Sequence, residues 1–291
     1  MTPTPRQGVY KKWTLTDAEL AEMQQLVRIC QDHEPLDHRL TWDALALRSG
    51  DKANEQLYYR DDILIGFFSM DGLGFGEAEG SGMVHPNYRR QGVFRALVAA
   101  AREECRQNKT ESLLLVFDHR SDAAIAFANA IGAQHDFSEH GMCLDDSNKL
   151  PKIEQRLDLR KATQDDALAI AAIVARDFDA DAKQLRQSIA HNMQSSVYQY
   201  YIAMLGQEPI GTLNVQNLGG DAYIYGFVVR PDQRGRGYGK EILARAIADV
   251  VAQRPQPIFL EVETDNDPAF GLYRSFGFEV TTTYDYYRLA V

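Results

Sequence analysis

Val229-Arg-Pro-Asp-Gln-Arg-Gly-Arg-Gly-Tyr-Gly239 is the stretch on which the fold of this chain turns. Apolar residues lead into it from Tyr223, alternate glycines interrupt it, and apolar residues recur at helical spacing through Ile242, Leu243, Ala246, Ile247 and Val250. The pattern reads as strand, turn, helix. Glycines let a turn take positive φ and approach an anion closely, an expectation placed on Gly235, Gly237 and Gly239. The first amides of the helix lack intrahelical acceptors and point at the same spot, so a pyrophosphate can be held there without a metal. Arg234 and Arg236 add positive charge beside it.

Upstream, Val84-His-Pro-Asn-Tyr-Arg-Arg-Gln-Gly-Val-Phe94 repeats the frame. Pro231 follows Pro86 by 145 residues, as Arg234 follows Arg89 and Gly237 follows Gly92. The chain therefore reads as a tandem duplication whose copies have diverged in chemistry. Two familiar phosphate loops are excluded for the second copy. A P-loop needs GxxxxGK[ST], and Lys240 is followed by Glu241 instead of a hydroxyl residue that could hold magnesium. A dinucleotide site needs GxGxxG opening a βαβ unit, whereas these glycines alternate.

The residues resemble the GNAT superfamily of N-acetyltransferases, whose Arg/Gln-x-x-Gly-x-Gly/Ala signature lies at a strand-to-helix turn that grips the pyrophosphate of acetyl-coenzyme A. Arg234-Gly-Arg-Gly-Tyr-Gly239 matches it in full. Phe259-Leu-Glu-Val-Glu-Thr-Asp-Asn266, Pro268-Ala-Phe-Gly-Leu-Tyr273 and Phe276-Gly-Phe278 then follow in the family's order, so the resemblance spans most of residues 155–291. It implies an α/β fold of two tandem GNAT-like domains, each a mixed, mostly antiparallel twisted sheet flanked by helices. The domains are expected at 1–146 and 152–291, joined by the polar, proline-ended linker Asp145 to Pro151.

The resemblance also implies roles. Acetyl-coenzyme A would be the co-substrate, held by Arg234, Gly235, Arg236, Gly237, Tyr238, Gly239 and Lys240, with Asn266 beside its pantetheine arm. The amides of Phe227, Val228 and Val229 would meet the oxyanion, on a strand that splays from its neighbour. Acetyl transfer to an amine needs a base to deprotonate the ammonium, donors for the tetrahedral oxyanion, and an acid for the departing thiolate. Tyr273 is placed where the family carries its acid; the plainer alternative is a core tyrosine. Glu261, twelve residues earlier, resembles the base of the ribosomal-protein alanine acetyltransferase branch. Glu263 projects from the same strand face and rivals it, Tyr225 acting through a water is a third choice, and both glutamates could simply be solvated strand-edge carboxylates.

In the first copy Phe94 stands for Gly239, Ala128 for Tyr273, Ser121 for Asn266 and Val116 for Glu261. Some family members carry a residue like Phe94 here, so Arg89 to Phe94 could still bind a coenzyme, but that half is expected to be a non-catalytic partner that shapes the acceptor site, similar in layout alone to the mycothiol synthase branch. The favoured reading is an N-acetyltransferase with one active site, in the C-terminal half. Two alternatives stand beside it: a module that binds or senses acetyl-coenzyme A without turnover, and an acyltransferase using a longer acyl donor.

Composition narrows the partners. A hydrophobic fraction of 45% and a charged fraction of 25% over 291 residues suit two soluble domains of ~145 residues each. A net charge of −10 argues against nucleic acid and anionic membranes and suits a cationic amine acceptor, small molecule or peptide. No apolar run approaches the ~20 residues of a membrane span, and no apolar signal core opens the chain, so a cytoplasmic location is expected. Three isolated cysteines and seven scattered histidines, His135 and His140 among them, offer neither a disulfide framework nor a metal site. A monomer or homodimer fits the duplication. Tyr198, Tyr200, Tyr201, Tyr284, Tyr286 and Tyr287 could line a cation-binding cleft, although strand core is the simpler account. Asp71-Gly-Leu-Gly-Phe-Gly76 precedes no helical pattern and reads as a loop bordering the cleft.

Overall fold

The computed structural model describes residues 4–48, 50–74, 76–145, 151, 153–178, 181–254 and 256–291. The first copy runs β1 (Gly8–Lys12), α1 (Asp17–His33), α2 (Trp42–Leu47), β2 (Glu55–Arg60), β3 (Ile63–Asp71), β4 (Glu77–Val84), α3 (Val93–Gln107), β5 (Ser112–Asp118), α4 (Asp122–Ala130) and β6 (Gln134–Leu144). The second runs β7 (Asp158–Lys161), α5 (Ala167–Phe178), α6 (Ala182–Asn192), β8 (Tyr198–Leu205), β9 (Glu208–Leu218), β10 (Asp221–Val229), α7 (Tyr238–Gln253), β11 (Ile258–Glu263), α8 (Asp267–Ser275) and β12 (Glu279–Ala290). The first helix of each copy starts in the same way. Thr16 accepts from the Glu19 amide while the Glu19 carboxylate accepts from the Thr16 amide, and Thr163 with Asp166 forms the same reciprocal cap.

Contacts divide the chain into two compact units, Met1–Glu139 with Thr282–Val291, and His140–Thr281. These limits differ from the expected 1–146 and 152–291, and the hydrogen bonding gives the reason. β12 pairs antiparallel with β5, Tyr284 opposite Asp118 and Ala290 opposite Ser112, so the last strand of the second copy completes the first unit. In return Met142 and Leu144 of β6 lie in the core of the second unit. Most of the expected linker, residues 146–150, lies outside the described residues, as does residue 75 in the expected loop.

Each unit is a mixed, mostly antiparallel sheet with helices on both faces. In the first the strand order is β1-β2-β3-β4-β5-β12, and β4 with β5 is the parallel pair. In the second the order is β6-β11-β10-β9-β8-β7, and β10 with β11 is the parallel pair. Alternation along the strands divides the side chains between two faces. In the second unit Ala222, Ile224, Leu260 and Val262 pack with Ile242, Leu243, Ile247 and Tyr273 of α7 and α8. Tyr200, Ile202 and Val228 pack with Ile170, Val174 and Ile189 of α5 and α6 on the other face. The site described next lies where β10 and β11 part.

Candidate active site

β10 and β11 pair only from Ala222 and Ile258 to Ile224 and Leu260, although both strands continue beyond that point. The parting coincides with a bulge. Tyr225 pairs with Asn214 and Val228 with Thr212, so Gly226 and Phe227 together face Leu213. Gly226 takes φ 55°, and a Cβ there would lie 2.5 Å from Asn214 Nδ2. A side chain at this position would be strained and would displace Asn214. The sequence reading passed over Gly226, yet a glycine inside an apolar strand is the signal that would have found it. After the bulge Arg230 donates its amide to the Ile210 carbonyl at 2.8 Å, which turns the N–H and C=O of Val229 toward the open edge.

The turn itself is preformed. Pro231–Gln233 makes one 3-10 turn, Gly235 takes φ 74° and Gly237 takes φ 82° as the N-cap of α7. No side chain caps that end, and nothing lies within 4 Å of a Cβ built on Gly235, so the first-turn amides are left to an anion. Gly239 departs from expectation. It is helical, with no positive φ, and a Cβ there would meet Leu272 at 3.7 Å, Phe227 at 3.8 Å and Val229 at 3.9 Å, all ordinary contacts. Its smallness keeps space open and does not relieve the backbone.

The arginines also depart from expectation. Arg234 donates Nε to the Val229 carbonyl at 2.8 Å and pairs through Nη2 with Asp177 of α5, so its charge is already matched. Arg236 donates to the Asp232 carbonyl at 3.3 Å, while Lys240 and the Arg236 head remain exposed. Arg156, not singled out from sequence, donates to the Arg236 carbonyl at 2.9 Å and stacks over the Tyr238 ring with its guanidinium carbon 4.9 Å from the centroid. The fully buried Glu241 accepts from the amides of Arg156 and Leu157, both at 2.9 Å, and so ties the entry to β7 onto α7.

Tyr273 packs against Phe227, ring centroids 6.5 Å apart, which brings the α8 phenol beside the strand that lines the parting. Its side chain is 7% exposed, and burial pushes the phenol up to about 12, so it is protonated at neutral pH. Asn266 is the N-cap of α8, its Oδ1 accepting from the Ala269 amide at 3.2 Å. Its amide nitrogen is thereby directed away from the helix.

Glu261 and Glu263 are exposed on either side of buried Val262 and share a strand face. Tyr223 stacks on Phe259 at 5.3 Å, which sets Tyr225, Glu261 and Glu263 on the face opposite α7 and α8. Burial, and then the neighbouring charge of Asp265, pushes the Glu263 carboxyl up. Burial, and then the bond it donates to the Tyr200 hydroxyl at 3.1 Å, pushes the Tyr225 phenol well above its usual range. Tyr225 is a donor at neutral pH and a poor base.

Tyr200 and Tyr201 are buried in the core of the second unit, and Tyr284, Tyr286 and Tyr287 in that of the first, as the strand-core account expects. The three cysteines are buried and free. Among the described residues no group of three metal-binding side chains occurs, and no helix is long and apolar enough to cross a membrane.

The first unit holds a corresponding parting beyond Gly80 and Leu115. There β3 and β4 pair without a bulge, and the Phe94 ring packs on Phe127 at 4.9 Å and on Phe68 at 5.9 Å. A cavity of about 50 Å³ remains, lined in part by Ser81, Gly82, Asp118, Ser121 and His38. The His38 Nε2 is buried without a hydrogen-bond partner, and burial pushes its imidazole down. His38 comes from a loop with no motif, so sequence gave no reason to choose it.

The family model described as Acetyltransferase (GNAT) family matches residues 19–133 and again 167–278. A mycothiol acetyltransferase of Clavibacter michiganensis is 28% identical over 228 residues, covering 75% of this chain and 74% of its own, which carries the likeness beyond layout. The N-alpha-acetyltransferase RimI of Mycobacterium tuberculosis is 32% identical over 133 residues, 44% of this chain and 82% of its own. A tandem GNAT protein from the clavulanic acid biosynthesis pathway shares the fold, with a TM-score of 0.74 at 17% identity over 97% of this chain and 98% of that one. Two matches in one chain, on the two turns compared above, lead to one conclusion: the chain belongs to the GNAT acetyltransferase family and is built from two copies of its domain.

Proposed function

We propose that this acetyltransferase uses acetyl-coenzyme A as donor and an amine, in a small molecule or a peptide, as acceptor, with one active site in the second copy, residues 152–291, and a non-catalytic first copy, residues 1–146. The observation that carries this reading is the convergence of Gly239, Phe227, Leu272 and Tyr273 at the parting of β10 and β11. The backbone amides of Gly235 to Lys240 would hold the pyrophosphate, and the Asn266 amide would meet the pantetheine arm.

The chain's own groups then account for each proton. Glu261 takes a proton from the ammonium, with Glu263 on the same face as its rival. The freed nitrogen attacks the thioester carbonyl, and amides of Phe227 to Val229 receive the developing oxyanion. As the intermediate collapses the carbon–sulfur bond breaks, Tyr273 gives its proton to the leaving thiolate, and the second proton of the attacking nitrogen restores the phenol, by way of water, as the amide forms. The acidity of the chain and the carboxylates on this face support a cationic acceptor, and the name of the RimI relative, an N-alpha-acetyltransferase, supports an acceptor nitrogen. The protein would be cytoplasmic, as a monomer or homodimer.

A panel of amines, scored by thiol release from acetyl-, propionyl- and succinyl-coenzyme A, tests the reading. Turnover with acetyl-coenzyme A is expected to exceed that with the longer donors, and Tyr273→Phe is expected to lower kcat by roughly 10²-fold or more. Full activity in Tyr273→Phe would remove the acid assignment.

A further inference from the structure

Arg234 is the residue that the signature makes most conspicuous, yet its side chain is already bonded within the protein. Its Nε meets the Val229 carbonyl at 2.8 Å and its Nη2 meets Asp177 near the end of α5. The first copy contains the same arrangement. Arg89 donates Nε to the Val84 carbonyl at 3.3 Å and pairs through Nη1 with Glu34, the C-cap of α1, at 3.0 Å. The arginine and the carbonyl are equivalent positions, 145 residues apart, but the carboxylate is not. The position equivalent to Asp177 is Asp32, and the first copy uses Glu34 instead. One contact made from two different places indicates that the geometry, and not the residue number, is what each copy keeps.

The consequence for the second copy follows from the direction of Val229. Its carbonyl is taken by Arg234, and its N–H points to the same open edge, where β11 no longer pairs. A guanidinium fixed at one end by Asp177 and bonded at the other to Val229 sets the strand end and the following turn relative to α5. We propose that Asp177 is a positioning residue for the acyl donor: it holds Arg234 so that the Val229 edge and the α7 amides are preset to receive the coenzyme. The inference rests on the assignment of the donor site to the second copy. The contrary reading is that Asp177 neutralises a charge that would otherwise attract phosphate.

The two readings predict opposite signs. Titration of the full chain with acetyl-coenzyme A is expected to show about fivefold weaker binding in Asp177→Asn, the size of one half-exposed ion pair. Asp177→Glu, which keeps the carboxylate, is expected to stay within about twofold of wild type, and Glu34→Gln to leave the affinity unchanged. In steady state the KM for acetyl-coenzyme A rises in Asp177→Asn while kcat and the acceptor KM hold, and an unchanged melting temperature shows that folding is not the cause. Equal or tighter binding in Asp177→Asn, or no rescue by Asp177→Glu, overturns the inference and leaves the active-site reading standing. Loss of affinity in Glu34→Gln alone, or no binding of the coenzyme by wild type, overturns both.

Discussion

The two signature turns of this chain have nearly the same backbone and different surroundings. Gly237 and Gly92 are both left-handed N-caps, at φ 82° and 80°, and the residues two positions earlier are left-handed as well, Gly235 at 74° and Arg90 at 61°. The long side chains between them act alike, Arg236 donating to the Asp232 carbonyl and Gln91 to the Asn87 carbonyl. Asn266 and Ser121 both cap the helix that follows the fifth strand. What differs faces the parting of the strands. The second copy has a bulge at Gly226, an open Gly239 and the Tyr273 phenol, where the first has a regular strand, the Phe94 ring and Ala128. Turn geometry is thus common to both copies, whereas on the proposed reading the capacity to bind and react lies in the few groups that leave or fill the gap.

The sharpest way to break this comparison is to exchange the filling residue. Gly239→Phe meets no backbone obstacle, because the position is helical and its Cβ contacts are ordinary. It is expected to fold with a melting temperature near that of wild type while acetyl-coenzyme A binding weakens by more than about tenfold, measured by titration calorimetry. Retained affinity would show that a phenylalanine at this position, as at Phe94 in the first copy, does not close the proposed donor site. A smaller effect concerns Arg90, an L-residue in a conformation that costs it roughly 1 kcal/mol. Arg90→Gly is expected to raise stability by about 0.5–1 kcal/mol in chemical denaturation, offset in part by the extra freedom of glycine in the unfolded chain. Destabilisation instead would mean that the Arg90 side chain itself supports the first turn.

Periodicity made the strand, turn and helix around Val229 to Gly239 legible, and the glycine spacing with its downstream motifs made the family legible. The boundaries were less accessible. A duplication of 145 residues suggests two self-contained halves, but β12 finds its antiparallel partner in β5 of the first copy, and nothing in the pattern of Tyr284, Tyr286 and Tyr287 names that partner. Charge was readable and its use was not: Arg234 sits in a phosphate-binding signature, yet Asp177, 57 residues away in sequence, claims it. Gly239 shows the same limit, since composition cannot distinguish a glycine needed for φ from one needed for space. Motif order alone suffices to put Tyr273 on the helix after Asn266 because that segment is short and local, whereas Asp177 meets Arg234, and His38 its cavity, from elements distant in sequence.

Amide hydrogen exchange with and without acetyl-coenzyme A tests the central claim most directly, because it reads both turns in one experiment. The account predicts slowed exchange at residues 235–240 and at 227–229, with residues 90–95 unchanged. Protection confined to 90–95, or none at 235–240 while the coenzyme remains bound, would contradict it.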